Sequence, residues 1–571
     1  MADDTTLDQR PPVSEEAQPA PSAGDLADIR RQVLARVQEE GAAESPDAAD
    51  PPKLTHDQVA EYLAANELGD GLIFATLFRN RHAYVGQSGE WIRWAGHHWR
   101  IDDIGEAHYA LADVESVAEI YDTTALHYSR LAKDAEDGND KQTASMLKRK
   151  AEALRSRVSK LRSDSGRQRC LRFARTNRVC PLAITGDEID TNPWALPVAN
   201  GVLDLKTGEL APGRPGDYLL KASPVEWQGI DAPCPEWERF VLEIMDGDAE
   251  MAAFLQRAFG YGITGLVSEQ KFLVLYGKGR NGKGVLTEVL QEIMGGSDAF
   301  GALAGPVQSE MLLDQGKARN AAGPSPDIMG LRGMRLAFAS ETDEGQRFSS
   351  ARVKWLSGAD RLTGRYPHDK RNITFDPTHF LVLLTNNKPH APANDFAFWE
   401  RVLLVKFPLS FVDRKPQTPN ERPVDKGLRE RLRGELPGIL AWLVRGCLAW
   451  QEQELAPPPK VLEAVAEYQR EEDYLGDFLE ECCELVPDDD DVRTTATELY
   501  EAFLDWFHIN ISAKKDMSQK KFGKLMQERC RRERVGGRYY YYGVSLRPEA
   551  LDELEAKKPP ARGGGGGNGL F

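Results

Sequence analysis

The sequence predicts an α/β fold built around a parallel central sheet, and three observations support this fold class. First, an apolar run at residues 272–276 leads into a glycine-rich loop, and a helical pattern of apolar residues follows at once. Second, apolar strands and helices alternate along residues 236–430. Third, residues 379–385 are apolar at almost every position, as expected for a strand that is buried on both faces of a parallel sheet.

Length and composition limit the class of protein. A chain of 571 residues predicts roughly three to four domains, and its formal net charge of −17 excludes a protein that is basic overall and coats nucleic acid. The seven cysteines are scattered without C-x-x-C pairs, which is typical of reduced thiols rather than of disulfides or a zinc site. No signal peptide or apolar run of about 20 residues is visible, so we expect a cytoplasmic protein without a membrane partner.

Changes in composition divide the chain into six segments. The two terminal segments are rich in small, polar and charged residues, which predicts disorder. The predicted segments are a disordered leader at 1–54, an α+β accessory domain at 55–235, the α/β domain at 236–430, a helical linker at 431–492, a small module at 493–548 and a flexible glycine-rich tail at 549–571.

The glycine-rich loop carries the pattern G-x-x-x-x-G-K between a strand and a helix, which is the context that a phosphate-binding P-loop requires. Backbone N–H groups and the helix N-terminus favour phosphate there, and Lys283 supplies a full positive charge. ATP and Mg²⁺ are therefore the expected cofactors. Gly284 stands where Ser or Thr usually offers magnesium a hydroxyl, and Thr287 is a weak substitute. The expected nucleotide contacts are Gly277, Lys278, Gly279, Arg280, Asn281, Gly282, Lys283, Gly284 and Val285.

Hydrolysis needs an acid, a polar sensor and an arginine in addition to the loop. Glu341 follows the apolar strand 336–340 and is the first choice for the Walker B acid and metal ligand, with Asp343 and Glu344 behind it; a solvated acidic turn is the alternative. Asn386 ends the strand 379–385, where its amide could hold γ-phosphate and water. Arg401 precedes a further strand and suits an arginine finger for a neighbouring subunit; the alternative is a surface ion pair with Glu400.

Taken in order, these motifs resemble a known family. G-x-x-x-N-G-K is followed by a strand ending in S-E-T, by L-S-G-A-D-R-L-T-G-R, by T-H-F-L-V-L-L-T-N-x-K-P and by W-x-R-V-x-L-V-x-F-P. This order is similar to the superfamily-three helicase domain of phage and plasmid primase–helicases, which are related to the poxvirus helicase–primase. Residues 200–208 and the patch around Trp91 and Trp99 resemble the domain that precedes the helicase in this family, so the likeness covers roughly residues 55–430.

The resemblance implies an AAA+-like core that assembles into a homo-hexameric ring, hydrolyses ATP and translocates on single-stranded DNA. On this likeness Glu341 matches the Walker B acid, Asn386 the sensor and Arg401 the finger. Two positions depart from the family: Gly284 lacks the magnesium-binding hydroxyl, and Glu400 stands where many relatives have a second arginine.

A predicted hairpin lies between the strands at 336–340 and 379–385. β-Prone residues flank a polar turn at 368–372, and in a ring a basic tip could hold DNA phosphates without reading sequence. The alternative is an ordinary solvated turn. Lys354 is assigned either to the nucleotide or to the base of this hairpin, and the sequence does not choose between them. The DNA-binding candidates of the hairpin are Arg365, His368, Lys370 and Arg371.

Two further basic stretches interrupt the acidic chain. The stretch 141–178 is either a nucleic-acid surface or a solvated helix face. The stretch 514–538 combines a basic helix with an aromatic strand at 539–542, which resembles a winged-helix module at the C-terminus of several such helicases. In that module Lys520, Lys521 and Lys524 are the DNA-binding candidates, and a protein-binding winged helix is the alternative.

The leading hypothesis is an ATP-dependent DNA helicase that replicates a phage, prophage or plasmid-like element in the bacterial host cytoplasm and acts on single-stranded or forked DNA. We expect no primer synthesis by this chain, because only the predicted disordered leader precedes residue 55. The pair Asp102 and Asp103 is expected to be a surface turn rather than a catalytic centre, and a separate primase or loader is an expected partner. The alternative is an ATP-switched replication initiator or scaffold that does not unwind processively. A signalling ATPase that ignores DNA is the third class.

Overall fold

The computed structural model describes most of the chain between the two terminal segments. The predicted leader, apart from its last two residues, and the last part of the predicted tail lie outside the described residues. Within the part that is described, no helix has the length and apolarity to cross a bilayer. The described residues are 53–102, 107–295, 302–315, 323–340, 345–367, 371–487, 489–511 and 517–557.

The N-terminal region combines a helical bundle with two small sheets. One sheet has the strand order β3-β2-β1-β4 and the other is an antiparallel β5-β6-β7 meander. Its helices are α1 (His56–Ala64), α2 (Glu67–Phe78), α3 (His108–Asp137), α4 (Lys141–Leu161) and α5 (Asp164–Thr176). Its strands are β1 (His82–Val85), β2 (Glu90–Trp94), β3 (Trp99–Ile101), β4 (Ala183–Ile184), β5 (Ala195–Val198), β6 (Gly201–Asp204) and β7 (Glu209–Ala211), and a 3₁₀ turn covers Pro215–Asp217.

The tryptophan-rich patch is part of the protein core. Trp91 and Trp99 are buried, and Trp99 Nε1 donates a hydrogen bond to the carbonyl of Pro215 at 2.8 Å. Asp102 is also buried, because its carboxylate accepts the N–H groups of Tyr109 (3.1 Å) and Ala110 (3.0 Å) in the first turn of α3. The prediction of a surface turn was therefore wrong for Asp102, and Asp103 lies outside the described residues.

Much of the basic stretch 141–178 is paired within the N-terminal region. Arg157 is buried and donates from Nε to Asp70 Oδ1 at 2.9 Å, while Tyr121 donates to the same oxygen at 3.0 Å. Burial raises the pKa of Asp70, and the bond from Arg157 opposes this rise. Arg162 and Arg167 both form ion pairs with Glu115, at 2.8 and 3.1 Å. For these residues the solvated or structural helix face is the better interpretation.

The central region contains the predicted parallel sheet. Its strand order is β14-β8-β13-β10-β9, and every neighbouring pair is parallel. The strands of the central region are β8 (Phe272–Tyr276), β9 (Ala304–Gln308), β10 (Leu336–Ser340), β11 (Leu362–Gly364), β12 (Ile373–Phe375), β13 (Phe380–Thr385), β14 (Val402–Lys406), β15 (Ser410–Val412) and β16 (Glu421–Pro423). Its helices are α6 (Pro235–Ile244), α7 (Ala249–Gly262), α8 (Lys283–Ile293), α9 (Pro326–Gly330), α10 (Ser350–Leu356), α11 (Phe396–Trp399), α12 (Leu428–Arg433) and α13 (Leu436–Gln453), with a 3₁₀ turn at Ser309–Met311.

Helices cover the sheet, and two of them approach each other unusually closely. A Cβ on Gly260 of α7 would fall 2.2 Å from the backbone nitrogen of Cys447 in α13. A Cβ on Gly446 of α13 would fall 2.1 Å from the carbonyl oxygen of Gln256 in α7. Only glycine fits at either position, so α13 packs against α7 as part of the core around the sheet.

The predicted hairpin is present as β11 and β12. These strands are antiparallel, with Leu362 opposite Phe375 and Gly364 opposite Ile373. His368 and Lys370, two of the candidates at its tip, lie outside the described residues.

The C-terminal region has the predicted order of helix, basic helix and two strands. Thr495 and Glu498 form a capping box at the start of its first long helix, and Ser518 caps the basic helix. The helices are α14 (Pro459–Glu471), α15 (Tyr474–Cys482), α16 (Ala496–Asn510), α17 (Gln519–Gln527) and α18 (Pro548–Lys557). The strands are β17 (Cys483–Leu485), β18 (Arg493–Thr495), β19 (Arg532–Val535), β20 (Arg538–Tyr542) and β21 (Val544–Leu546), in sheets ordered β18-β20-β19 and β17-β21.

Candidate nucleotide and nucleic-acid sites

The loop between β8 and α8 depends on glycine at several positions. Gly279 and Gly282 adopt φ of +84° and +87°, in the left-handed region that favours glycine. A Cβ on Gly282 would fall 2.5 Å from Ile244 Cγ2, and one on Gly277 would fall 2.2 Å from Asn281 Nδ2. The backbone of the loop therefore approaches its surroundings more closely than other residues permit, as a phosphate-binding loop requires.

Lys283 connects this loop to the neighbouring strand. Its Nζ donates to the carbonyl oxygens of Gly277 (2.6 Å) and Thr385 (3.2 Å) and to Asn386 Oδ1 (3.2 Å). The side chain is 6% exposed, and this burial lowers the pKa of Lys283 to about 8. The structure thus brings together two of the predicted site residues, Lys283 and Asn386, at the carboxyl edge of the sheet.

The position expected for the acid lies at the same edge. Ser340, the last residue of β10, is in register with Leu384 of β13, so β10 ends beside the strand that leads to Asn386. Glu341, the candidate acid and metal ligand, and its neighbours Asp343 and Glu344 lie outside the described residues.

The other loop residues differ in exposure. Lys278, Arg280 and Gly284 are exposed and Val285 is half-buried. Asn281 is 2% exposed, and its Nδ2 has no hydrogen-bond partner, although burying an unpaired amide is unfavourable. A reorganised loop with phosphate bound could give this amide a partner.

The residues around Gly284 offer little to a metal ion. Thr287, the predicted substitute for the missing hydroxyl, is buried, and its Oγ1 donates to the carbonyls of Lys283 (3.2 Å) and Gly284 (3.3 Å) within α8. No group of three or more His, Cys, Asp or Glu side chains that could hold a metal occurs among the described residues. The described part of the site fits nucleotide phosphates, whereas Mg²⁺ would depend on Glu341.

Arg401 lies at the opposite edge of the sheet. Its carbonyl accepts the N–H of Phe272, the first residue of β8, at 2.8 Å. Its guanidinium donates to the carbonyl of Ala397 (2.6 Å) and to Gln270 Oε1 (3.1 Å), and not to Glu400 as the alternative expected. Arg401 lies beside the first residue of β8, whereas Lys283 lies beyond its last residue. Because β8 is roughly 13 Å long, the two side chains of one chain do not meet.

The remaining candidates have separate positions. Lys354 forms an ion pair with Asp395 at 2.9 Å, and Asp395 caps α11. The backbone N–H of Arg365 donates to Ser325 Oγ at 3.1 Å, and the Arg365 carbonyl accepts the N–H of Ser325 at 2.9 Å. Arg371 is exposed at the end of the hairpin.

Lys520, Lys521 and Lys524 all line one groove in the C-terminal region. Arg532, Arg538 and Tyr539 line the same groove, and sequence reasoning did not select them as binding residues. Strand alternation could have selected Arg532 and Tyr539. Side chains alternate between the two faces of a strand, so each of these residues lies on the same face as the residue paired with it on the neighbouring strand.

Known proteins that resemble this chain include one family of domains and several viral proteins. Residues 71–246 match the family described as D5 N terminal like. The chain is 24% identical over 341 residues to "Putative helicase L207/L206" of Acanthamoeba polyphaga mimivirus, covering 57% of this chain and 34% of the relative. It is 25% identical over 398 residues to "Putative helicase 022R" of Frog virus 3 (57% and 40% covered) and 25% identical over 376 residues to "Putative helicase 184R" of Invertebrate iridescent virus 6 (60% and 38%).

These matches support the primase–helicase family. The relatives' names suggest an enzyme of helicase type, and the chain spans about a third to two fifths of their length. Among solved structures, the apo NrS-1 C terminal region aligns with a TM-score of 0.30 and 12% identity over 57% of this chain and 77% of that one, a likeness too low to bear on the fold.

The lowered pKa of Lys283 predicts that nucleotide binding takes up protons. Since the amine is about half neutral at pH 8 and a bound phosphate favours the charged form, we expect uptake of about half a proton at pH 8 and almost none at pH 6.5. Titration calorimetry with ATP in buffers of different ionisation enthalpy measures this number. Equal proton uptake at both pH values would contradict the assignment.

The loop geometry predicts unequal effects of two alanine substitutions. In Gly277→Ala the new Cβ would lie 2.2 Å from Asn281 Nδ2 and 2.8 Å from the carbonyl of Phe407, so the loop must shift. In Gly284→Ala the nearest atom is Glu288 Oε1 at 4.0 Å. We expect the first variant to weaken binding of a fluorescent ATP analogue by at least about tenfold and the second to have a far smaller effect. Equal losses of affinity in the two variants would show that nucleotide binding does not require glycine at position 277.

Proposed function

We propose that this chain is an ATP-dependent DNA helicase that acts as a ring in the replication of a phage, prophage, plasmid-like or viral element. The single observation that carries the proposal is the contact of Lys283 with both the glycine-rich loop and Asn386. The similarity to helicases of large DNA viruses supports the direction of the proposal.

In this proposal the phosphates of ATP displace the carbonyl partners of Lys283. The ammonium group would turn from the oxygens of Gly277 and Thr385 to the outer phosphates, where its charge is stabilised and its pKa rises. Asn386 would then be released to position γ-phosphate or the attacking water. Mg²⁺ bound with the nucleotide supplies charge neutralisation, and Glu341 is the residue proposed to hold it and to orient water.

The position of Arg401 favours a catalytic seam between two chains. The length of β8 separates it from Lys283 of the same chain, and Gln270 and Ala397 hold its guanidinium near the amino edge of the sheet. We therefore assign Arg401 to the nucleotide of a neighbouring protomer. A homo-hexamer is the assembly that the family resemblance implies.

DNA movement is assigned to the β11–β12 hairpin. Arg371 is exposed there, and Arg365 is fixed to Ser325 at the other side of the turn. Together with His368 and Lys370, these residues would contact the phosphates of a single strand inside the ring. We propose a separate primase or loader as a partner.

Strand separation of a forked duplex is the experiment that tests this function. Wild-type protein with ATP and Mg²⁺ is expected to release the labelled strand, and Lys283→Ala is expected to release almost none, because the phosphates lose their charged partner. Lys278→Ala, which removes an exposed lysine of the same loop, is the matched comparison for the loss of one charge. DNA-stimulated hydrolysis without any strand release would favour the ATP-switched initiator instead.

A further inference from the structure

We propose that the groove between α17 and the β19–β20 hairpin binds a single strand of DNA, with a base stacked on Tyr539. The inference deepens the DNA-binding part of the proposed function and rests on a site separate from the nucleotide loop. It differs from the usual duplex contact of a winged-helix module, in which such a helix enters the major groove.

The charge of the groove favours a polyanion. Five cationic side chains line it, three from α17 and two from the hairpin: Lys520, Lys521, Lys524, Arg532 and Arg538. Glu498 is the one acid among the described residues that line the groove, and its carboxylate is engaged by the Thr495 hydroxyl at 2.8 Å in the capping box. The cations thus have little internal neutralisation, unlike those of the stretch 141–178, and phosphates could provide it.

The hairpin presents an aromatic ring beside these charges. Tyr539 is 45% exposed, and the guanidinium of Arg532 lies 3.9 Å from its ring centroid. Arg532 Nε is buried without a hydrogen-bond partner, so this side chain retains an unused donor. A planar exposed ring held next to cations is the arrangement that stacks an unpaired base while neighbouring cations hold the backbone.

The floor of the groove is rigid. Tyr541, opposite Arg532 in the β19–β20 ladder, is fully buried, and its hydroxyl donates to the carbonyl of Gly523 in α17 at 3.3 Å. This bond joins the hairpin to the helix across the groove. The two walls therefore do not need to be ordered when a ligand binds, which lowers the entropic cost of binding.

Contacts with the central region hold the far end of α17. Glu528 accepts from Asn394 Nδ2 at 2.8 Å, and Arg529 donates to Asn394 Oδ1 at 3.3 Å. Desolvation lowers the pKa of Lys521, and the charge of Arg347 adds to this effect, which places the central region beside the helix. A helix held in this way is not free to lie along a major groove, whereas the groove facing the hairpin stays open.

Fluorescence anisotropy of the full-length chain with labelled oligo(dT) tests the proposal. Lys283→Ala serves as the background and nucleotide is omitted, so the measurement does not depend on ATP-driven activity. Tyr539→Ala is expected to weaken single-strand binding roughly five- to hundredfold, because one stacked base is lost. Tyr539→Phe keeps the ring and should keep the affinity.

Tyr540→Ala is the matched control, because Tyr540 neighbours Tyr539 on the same strand but points to the opposite face. It should bind oligo(dT) as the background does. Two results would overturn the proposal: equal affinities for the Tyr539→Ala and Tyr540→Ala chains, or tighter binding of a duplex than of the single strand. Neither result would change the expected strand separation by the wild-type chain. The single-strand groove and the helicase function are therefore tested separately.

Discussion

The side chain of Lys283 links the loop after β8 to the end of β13, and the proposed chemistry depends on this link. Parallel strands place both segments at one edge of the sheet, and the glycines of the loop let its backbone fold back towards the lysine. Holding an ammonium group in a buried position costs free energy, which the lowered pKa reflects. In our proposal, a phosphate that replaces the carbonyl oxygens would recover much of this cost.

A continuous set of contacts runs from this edge to the C-terminal region. Lys388, two residues after Asn386, forms an ion pair with Glu471 at the end of α14. His390 contacts Glu472 at 3.1 Å, and the hydroxyl of Tyr468 donates to the carbonyl of Pro389. If nucleotide binding moved the segment after β13, these contacts would transmit the movement to α14 and to the helices that follow. This offers a physical route from the nucleotide to the proposed single-strand groove.

The sequence predicted the features that local patterns determine. The strands at 272–276 and 336–340 have the predicted bounds, because apolar runs next to glycine or polar residues mark strand ends clearly. It did not predict that Arg157 is buried, because its partner Asp70 is 87 residues away in the chain. Asp102 was misjudged for a similar reason, since its burial depends on contacts with α3 that exist only after folding. Lys283 and Asn386 were both predicted as site residues and are in contact, whereas the bonds from Lys283 to the carbonyls of Gly277 and Thr385 were not predicted.

Mixing two inactive chains tests the central claim, that nucleotide bound by Lys283 is hydrolysed at a seam with Arg401 of another protomer. Lys283→Ala and Arg401→Ala chains are each expected to have almost no DNA-stimulated ATPase activity. The Lys283→Ala chain is inactive because it binds nucleotide poorly, whereas the Arg401→Ala chain still binds nucleotide but does not hydrolyse it. When they are mixed and allowed to reassemble, some seams combine an intact lysine with an intact arginine, and hydrolysis should return in proportion to such seams. No activity at any mixing ratio, with mixed assemblies shown to form, would contradict the account.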